Sequence, residues 1–140
     1  MAPVIDGAVF VDTNVFAYAL DEGEPGKRDI ARETIETHRR QIIVSTQVLL
    51  ELYAVCTRKL EMDRAITGEA VRAVALFPVV SADRELILDA VTLAAHEQLS
   101  VFDAAIVAAA VRGGCATLLT EDLNEDRVLT GGVRVQNPFA

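Results

Sequence analysis

Short aliphatic, β-branched runs alternate with longer helix-period segments along this chain, and that alternation narrows its fold more than any other feature. AVFV (8–11), IIV (42–44), PVV (78–80) and ATLLT (116–120) read as strands covered on both faces. VRVQ (133–136) alternates apolar with polar residues and stops at Asn137-Pro138, which suits an edge strand. Helical patterns fill the gaps, over 14–20, 27–40, 46–60, 63–76, 83–98 and 102–112, the last ending at Gly113-Gly114. This order predicts an α/β fold: a three-layer α/β/α sandwich around a mainly parallel central sheet of about five strands. No repeat or Pro/Ser-rich linker divides the 140 residues, so a single domain over 1–140 is expected.

Composition excludes several classes. No apolar run reaches the ~18–20 residues of a membrane span, and MAPVIDG at the start lacks the basic and apolar regions of a signal peptide, so a cytoplasmic protein is expected. Cys56 and Cys115 match no zinc spacing and read as buried thiols. The formal net charge of −8 argues against a passive nucleic-acid-binding module. The charge is uneven: residues 27–40 carry five Lys or Arg against three acids, whereas 81–140 carry nine acids against four Arg. A solvated helix face accounts for the basic run more readily than a binding surface does.

In a parallel α/β sheet, ligands collect beyond the carboxyl ends of the strands. Asp12 closes the first strand there, as a helix cap or as a site residue. Glu51 sits in the otherwise apolar STQVLLELYAVC, on one helical face with Val48, Ala54 and Val55, where a carboxylate is costly to desolvate without a partner. Asp103 lies in LSVFDAAIVAAAV, where Ser100 and Asp103 also fit a capping box, and the alanine-rich helix behind it can approach the sheet closely. Asp122 follows the fourth strand and is preferred over its neighbour Glu121 for the inward position. Four acids brought to one edge repel one another and require a cation or a shared proton. An all-oxygen site suits Mg²⁺ or Mn²⁺. There is no HExxH, CxxC pair, GxxxxGK[ST] loop or G-x-S-x-G elbow, and His38 and His96 have no nucleophile signalled beside them.

VFVDTNVFAY, STQVLLELYAVCTRKL, LSVFDAAIVAAAVRGGCATLLTEDL and VRVQNPF, in that order, resemble the PIN-domain ribonucleases, specifically the VapC toxins of bacterial toxin–antitoxin pairs. The resemblance implies a Mg²⁺- or Mn²⁺-dependent endoribonuclease with Asp12, Glu51, Asp103 and Asp122 as its acidic quartet, Asp12 and Asp103 being the direct metal ligands. It places polar support at Thr13, Asn14 and Thr120. It further implies an RNA substrate, a homodimer and inhibition by a VapB-like antitoxin. Two departures stand out: Val101-Phe102 where relatives often carry two aromatics, and an acidic loop NEDRVLTGG after the fourth acid. Arg28, Arg32, Arg39, Arg40, Arg58 and Lys59 are candidate phosphate contacts, Arg58 lying two turns from Glu51 on the same helical face. The competing readings are a non-catalytic PIN-like module that binds RNA or protein, a phospho-receiver and a metal-dependent phosphatase. No lysine follows Lys59, as a receiver requires, and Asn14 stands where the phosphatase motif wants an acid.

Overall fold

The first strand, β1 (Val9–Val11), is buried at every position, which a strand achieves only with neighbours on both sides and helices on both faces. The computed structural model describes residues 5–140. After β1 come α1 (Thr13–Ala19), α2 (Pro25–His38), β2 (Ile42–Ser45), α3 (Thr46–Arg58), α4 (Arg64–Val74) and β3 (Val79–Val80). They are followed by α5 (Arg84–Glu97), α6 (Val101–Arg112), β4 (Thr117–Leu119), β5 (Val128–Leu129) and β6 (Val133–Gln136). The strands form one sheet in the order β3-β2-β1-β4-β6-β5, parallel except for β5. Right-handed crossovers from β1 to β2 to β3 put α1–α4 on one face; the return from β3 to β4 puts α5 and α6 on the other. The chain therefore reverses its direction of travel across the sheet between β1 and β4, and ligand sites form in such crevices.

The helices end where the local chemistry stops them. Pro25 opens α2, where its missing N–H costs nothing. Asp83 caps α5 by accepting the Leu86 N–H (2.9 Å), and the Arg112 guanidinium beside it holds its carboxyl below the ordinary range. α6 stops at Gly113, followed by Gly114 at φ +71°. Its buried Ala104, Ala105, Ala109 and Ala110 let it lie close on the sheet, whose core includes Phe10, Ile42, Leu118 and Val135. A buried side chain of this size contributes about 1.5–3 kcal/mol. Both cysteines are free and buried, and burial pushes the Cys115 thiol up to about 12.

The sheet has six strands, one more than expected, and VRVQ is not at its edge. β6 lies between β4 and β5, and Val128–Leu129 pairs antiparallel with it. The alternation in VRVQ reflects cover on one face: Val133 and Val135 are buried while Arg134 and Gln136 are exposed. A next-to-edge strand shows the same pattern. The two-residue β5 is too short to announce itself in sequence. It is held by tertiary bonds, with Arg127 donating to the Glu97 carbonyl (2.8 Å) and Thr130 to the Glu97 carboxylate (2.7 Å).

Gly131 carries the turn from β5 into β6 at φ +85°, and a Cβ there would lie 2.8 Å from Val111 Cγ2. Gly131→Ala should lower stability by about 1–3 kcal/mol. Gly26, inside α2 with open space around it, should behave in the opposite way: Gly26→Ala is expected to add about 0.4–1 kcal/mol. Urea denaturation of both variants checks the pair.

Candidate active site

The parallel register of β1 and β4 sets the site. Val9, Phe10 and Val11 pair with Thr117, Leu118 and Leu119, so Asp12 and Thr120 leave the sheet side by side. Asp12 is 5% exposed and is the N-cap of α1. One carboxylate oxygen accepts the Thr13 N–H (2.7 Å) and the other accepts the Thr120 hydroxyl (2.9 Å). Asp12 thus fills the cap role. Burial pushes the Asp12 carboxyl from 3.8 up to about 7, against the two hydrogen bonds; the charges of Asp122 and Glu51 push the same way.

Thr120 is fully used. Its hydroxyl donates to Asp12 and accepts from Asn14 Nδ2 (3.1 Å) and the Asp122 N–H (3.1 Å), which exhausts one proton and two lone pairs. Asn14 Nδ2 also donates to the Asp122 carboxylate (3.1 Å). Asn14 Oδ1, by contrast, is a buried acceptor with no partner among the described residues.

Glu51, half-buried on α3, accepts from Gln47 (2.6 Å) on one oxygen and from the Thr13 hydroxyl (3.1 Å) on the other. Gln47 also donates to the Phe102 carbonyl (3.1 Å), tying α3 to the start of α6. Asp103 is half-buried in the first turn of α6. Ser100 accepts its N–H (3.1 Å), which is one half of the capping box. Burial raises the Asp103 carboxyl; the Ser100 hydroxyl opposes this, and the charges of Asp122 and Glu51 add to it. Asp122 and Glu51 thus act on both Asp12 and Asp103: the four carboxylates share one field. Glu121 turns the other way, accepting from Tyr18 (2.6 Å) and Lys27 (3.2 Å).

A cavity of about 230 Å³ opens beside the acids, lined among others by Thr13, Asn14, Glu51, Asp122, Tyr18 and Lys59. Among the described residues, no three His, Cys, Asp or Glu side chains close into a ligand cage. A hard divalent ion keeps several waters and can be held by only one or two protein carboxylates. The unpartnered Asn14 oxygen and the all-oxygen donor set fit such an ion.

The basic candidates separate sharply. Arg28 pairs with Glu22 and Asp29, Arg32 with the Ala19 carbonyl and Glu22, and Arg39 with Glu36. Arg40 and Arg58 are exposed and line no part of this cavity; Lys59 does. The groove follows the side of α3 that carries Glu51, Val55 and Lys59, toward the end of α1. Gln47 and Lys27 escaped the reading of the sequence. The i, i+4 spacing of Gln47 and Glu51 was the available signal for the first; no sequence signal pointed to Lys27.

The fold and the site together define an α/β/α domain with an acidic edge at its switch point. The chain belongs to the PIN domain family, which matches residues 9–128. Among solved structures, VapC20 of Mycobacterium tuberculosis, a sarcin-ricin loop cleaving toxin, is 22% identical with a TM-score of 0.67, over 79% of this chain and 87% of that one. A toxin–antitoxin complex from Klebsiella pneumoniae matches at 21% identity and TM-score 0.69, over 94% and 97% of the two chains. DNA-bound VapBC from Salmonella typhimurium matches at 18% and 0.68, over 94% and 98%. Likenesses at these identities establish the shared fold. No curated protein matches the sequence.

The raised Asp12 carboxyl ties stability to pH. The folded chain holds that proton more tightly than the unfolded chain, so stability falls as pH rises from about 4 to about 7, by up to a few kcal/mol. Asp12→Asn, which cannot titrate, should flatten this slope. Urea melts of the metal-free protein between about pH 4 and about pH 8 measure it.

Proposed function

We propose that this protein is a VapC-like endoribonuclease toxin that hydrolyses RNA phosphodiester bonds with the help of Mg²⁺ or Mn²⁺ and is neutralised by a VapB-like antitoxin. The observation that carries the reading is that Asp12, Glu51, Asp103 and Asp122 come from four chain segments to one edge of the sheet, linked by the bonds of Thr13, Asn14, Gln47 and Thr120, with the Asn14 oxygen left unpartnered. Asp12 and Asp103 would hold the ion, with Asn14 Oδ1 and Asp122 facing it or its water. A bound divalent ion would supply Lewis-acid polarisation of a phosphoryl oxygen and a more acidic water.

The chain's own groups do the rest. Thr13 and Gln47 each take one oxygen of Glu51 and fix its carboxylate, leaving lone pairs free to orient a water or accept its proton. Thr120 locks Asp12 and the turn bearing Asp122 into one unit. Lys59, at the cavity wall and without an ion pair among the described residues, offers a contact for a flanking phosphate. With a net charge of −8 around it, RNA binding should weaken steeply as salt rises.

Two apolar features of the surface support the proposed partners. A cavity of about 390 Å³, lined by Leu50, Ile87, Val101, Phe102 and Ala105, adjoins Gln47 at the edge of the acids. Leu50 and Phe102 are 74% and 70% exposed. An antitoxin segment with apolar anchors and a basic side chain would satisfy both the cavity and the acids. The exposed Ile87, Leu88 and Val91 on α5 offer a surface for a second copy, as expected of a homodimer. Among the described residues no single helix is long and apolar enough to cross a membrane, and a cytoplasmic toxin is the setting proposed.

Asp103→Asn tests the catalytic role against the helix-cap role. It keeps the N–H that Ser100 accepts, so stability should stay unchanged or rise while cleavage of single-stranded RNA falls at least about a hundredfold. Ser100→Ala should cost about 0.5–2 kcal/mol instead. Calorimetry should show Mn²⁺ binding to the wild type that is lost in Asp12→Asn/Asp103→Asn; equal binding by both would remove the central claim. For the antitoxin, the expected result is competition: Mn²⁺ affinity falls in the inhibited complex and returns when the antitoxin's basic side chain is changed to alanine.

A further inference from the structure

Glu121 lies between Thr120, the hub of the acid cluster, and Asp122, one of its members, yet its own carboxylate bonds to side chains of α1 and α2 instead. There it closes a three-membered ring of hydrogen bonds. Tyr18 donates to one carboxylate oxygen (2.6 Å), Lys27 donates to the other (3.2 Å), and Lys27 also donates to the Tyr18 oxygen (3.2 Å). The Lys27 ammonium stands over the rings of Tyr18 (4.6 Å to the centroid) and Phe139 (5.7 Å), which themselves pack edge to face at 4.9 Å. Aromatic faces attract a cation in this arrangement. The Lys27 and Glu121 side chains are 40% and 24% exposed, so this ring lies at the surface and its free energy is modest. Its geometry matters more. The segment after β4 has no regular structure until β5; backbone bonds from Thr120 to Gln136 and from Asp126 to Val135 hold its two ends, and side chains orient the turn between them.

We propose that Lys27 is a positioning residue for the acid cluster: with Tyr18 it anchors Glu121 to α1 and α2, and thereby fixes the turn in which Asp122 faces Asn14. This rests on the reading of the cluster as a cation site. It connects α2, otherwise distant from the chemistry, to Asp122. It also engages both oxygens of Glu121, which lines the same cavity as Glu51 and Asp122.

Lys27→Met gives a test of sign. Removing a positive charge beside an acidic cavity would, through charge alone, tighten Mn²⁺ binding. Loss of positioning weakens it, and the expected result is a fall of roughly three- to tenfold, restored in Lys27→Arg. The second readout needs no metal: in the metal-free protein the Asn14 side-chain amide resonances, which report the bonds to Thr120 and Asp122, should shift and broaden in Lys27→Met and return in Lys27→Arg. If Lys27→Met does not fold, Tyr18→Phe, which removes only the hydroxyl, should act in the same direction. Unmoved Asn14 resonances, or Mn²⁺ binding that is unchanged or tighter, would overturn the proposal. A wild-type protein that binds no Mn²⁺ would instead sink the proposed function, and the Asn14 resonances would still decide the role of Lys27.

Discussion

One hydroxyl group holds the site together. Thr120 Oγ1 donates to Asp12 and accepts from Asn14 and from the Asp122 backbone, so the turn after β1 and the turn after β4 meet at a single atom. The meeting depends on the register of β1 against β4. A slip of one residue would send the Asp12 and Thr120 side chains to opposite faces and dissolve the cluster. In the observed register Phe10, Val11, Leu118 and Leu119 are all buried.

The cluster is a local cost carried by a stable frame. Burial raises both Asp12 and Asp103, and the charges of Asp122 and Glu51 add to the penalty. A chain selected for stability alone would not gather carboxylates in this way, and sites of this kind are where function and stability part. The surroundings limit the cost with neutral donors. Thr13, Gln47, Asn14 and Thr120 all bond to the acids and none carries a charge, so a hard cation meets no competing cation in the first ring of contacts. The nearest lysines stand further out, Lys59 on the cavity wall and Lys27 behind Glu121.

The basic run of α2 shows how little composition says about charge that is available for binding. Five cations lie within residues 27–40, yet Arg28, Arg32 and Arg39 each find an acid within 4 Å, and Lys27 turns toward Glu121. Helix geometry places these neighbours three residues apart or brings in Glu22 from the preceding loop. The apolar surface beside the acids is the reverse case. Leu50 and Phe102 belong to runs that read as core in sequence, and the fold leaves both exposed at the edge of the site.

The α/β/α class, the parallel sheet and all six helices were legible because apolar runs of two different periods alternate along the chain, and burial on both faces of a sheet enforces that alternation. Asp12, Glu51, Asp103 and Asp122 stood out for a related reason: each interrupts or closes an apolar run, where a charge demands a partner. What sequence did not contain was contact between distant segments. Val128–Leu129 is too short to carry a period and exists as a strand because Glu97 holds Arg127 and Thr130. The bond from Gln47 to Phe102, the unpartnered oxygen of Asn14, the place of Lys59 on the cavity wall and the Lys27 ring arose only when helices from both faces came to rest on one sheet. Periodicity reports which face of an element is buried; which side chain meets it there depends on packing, and packing is a property of the assembled chain.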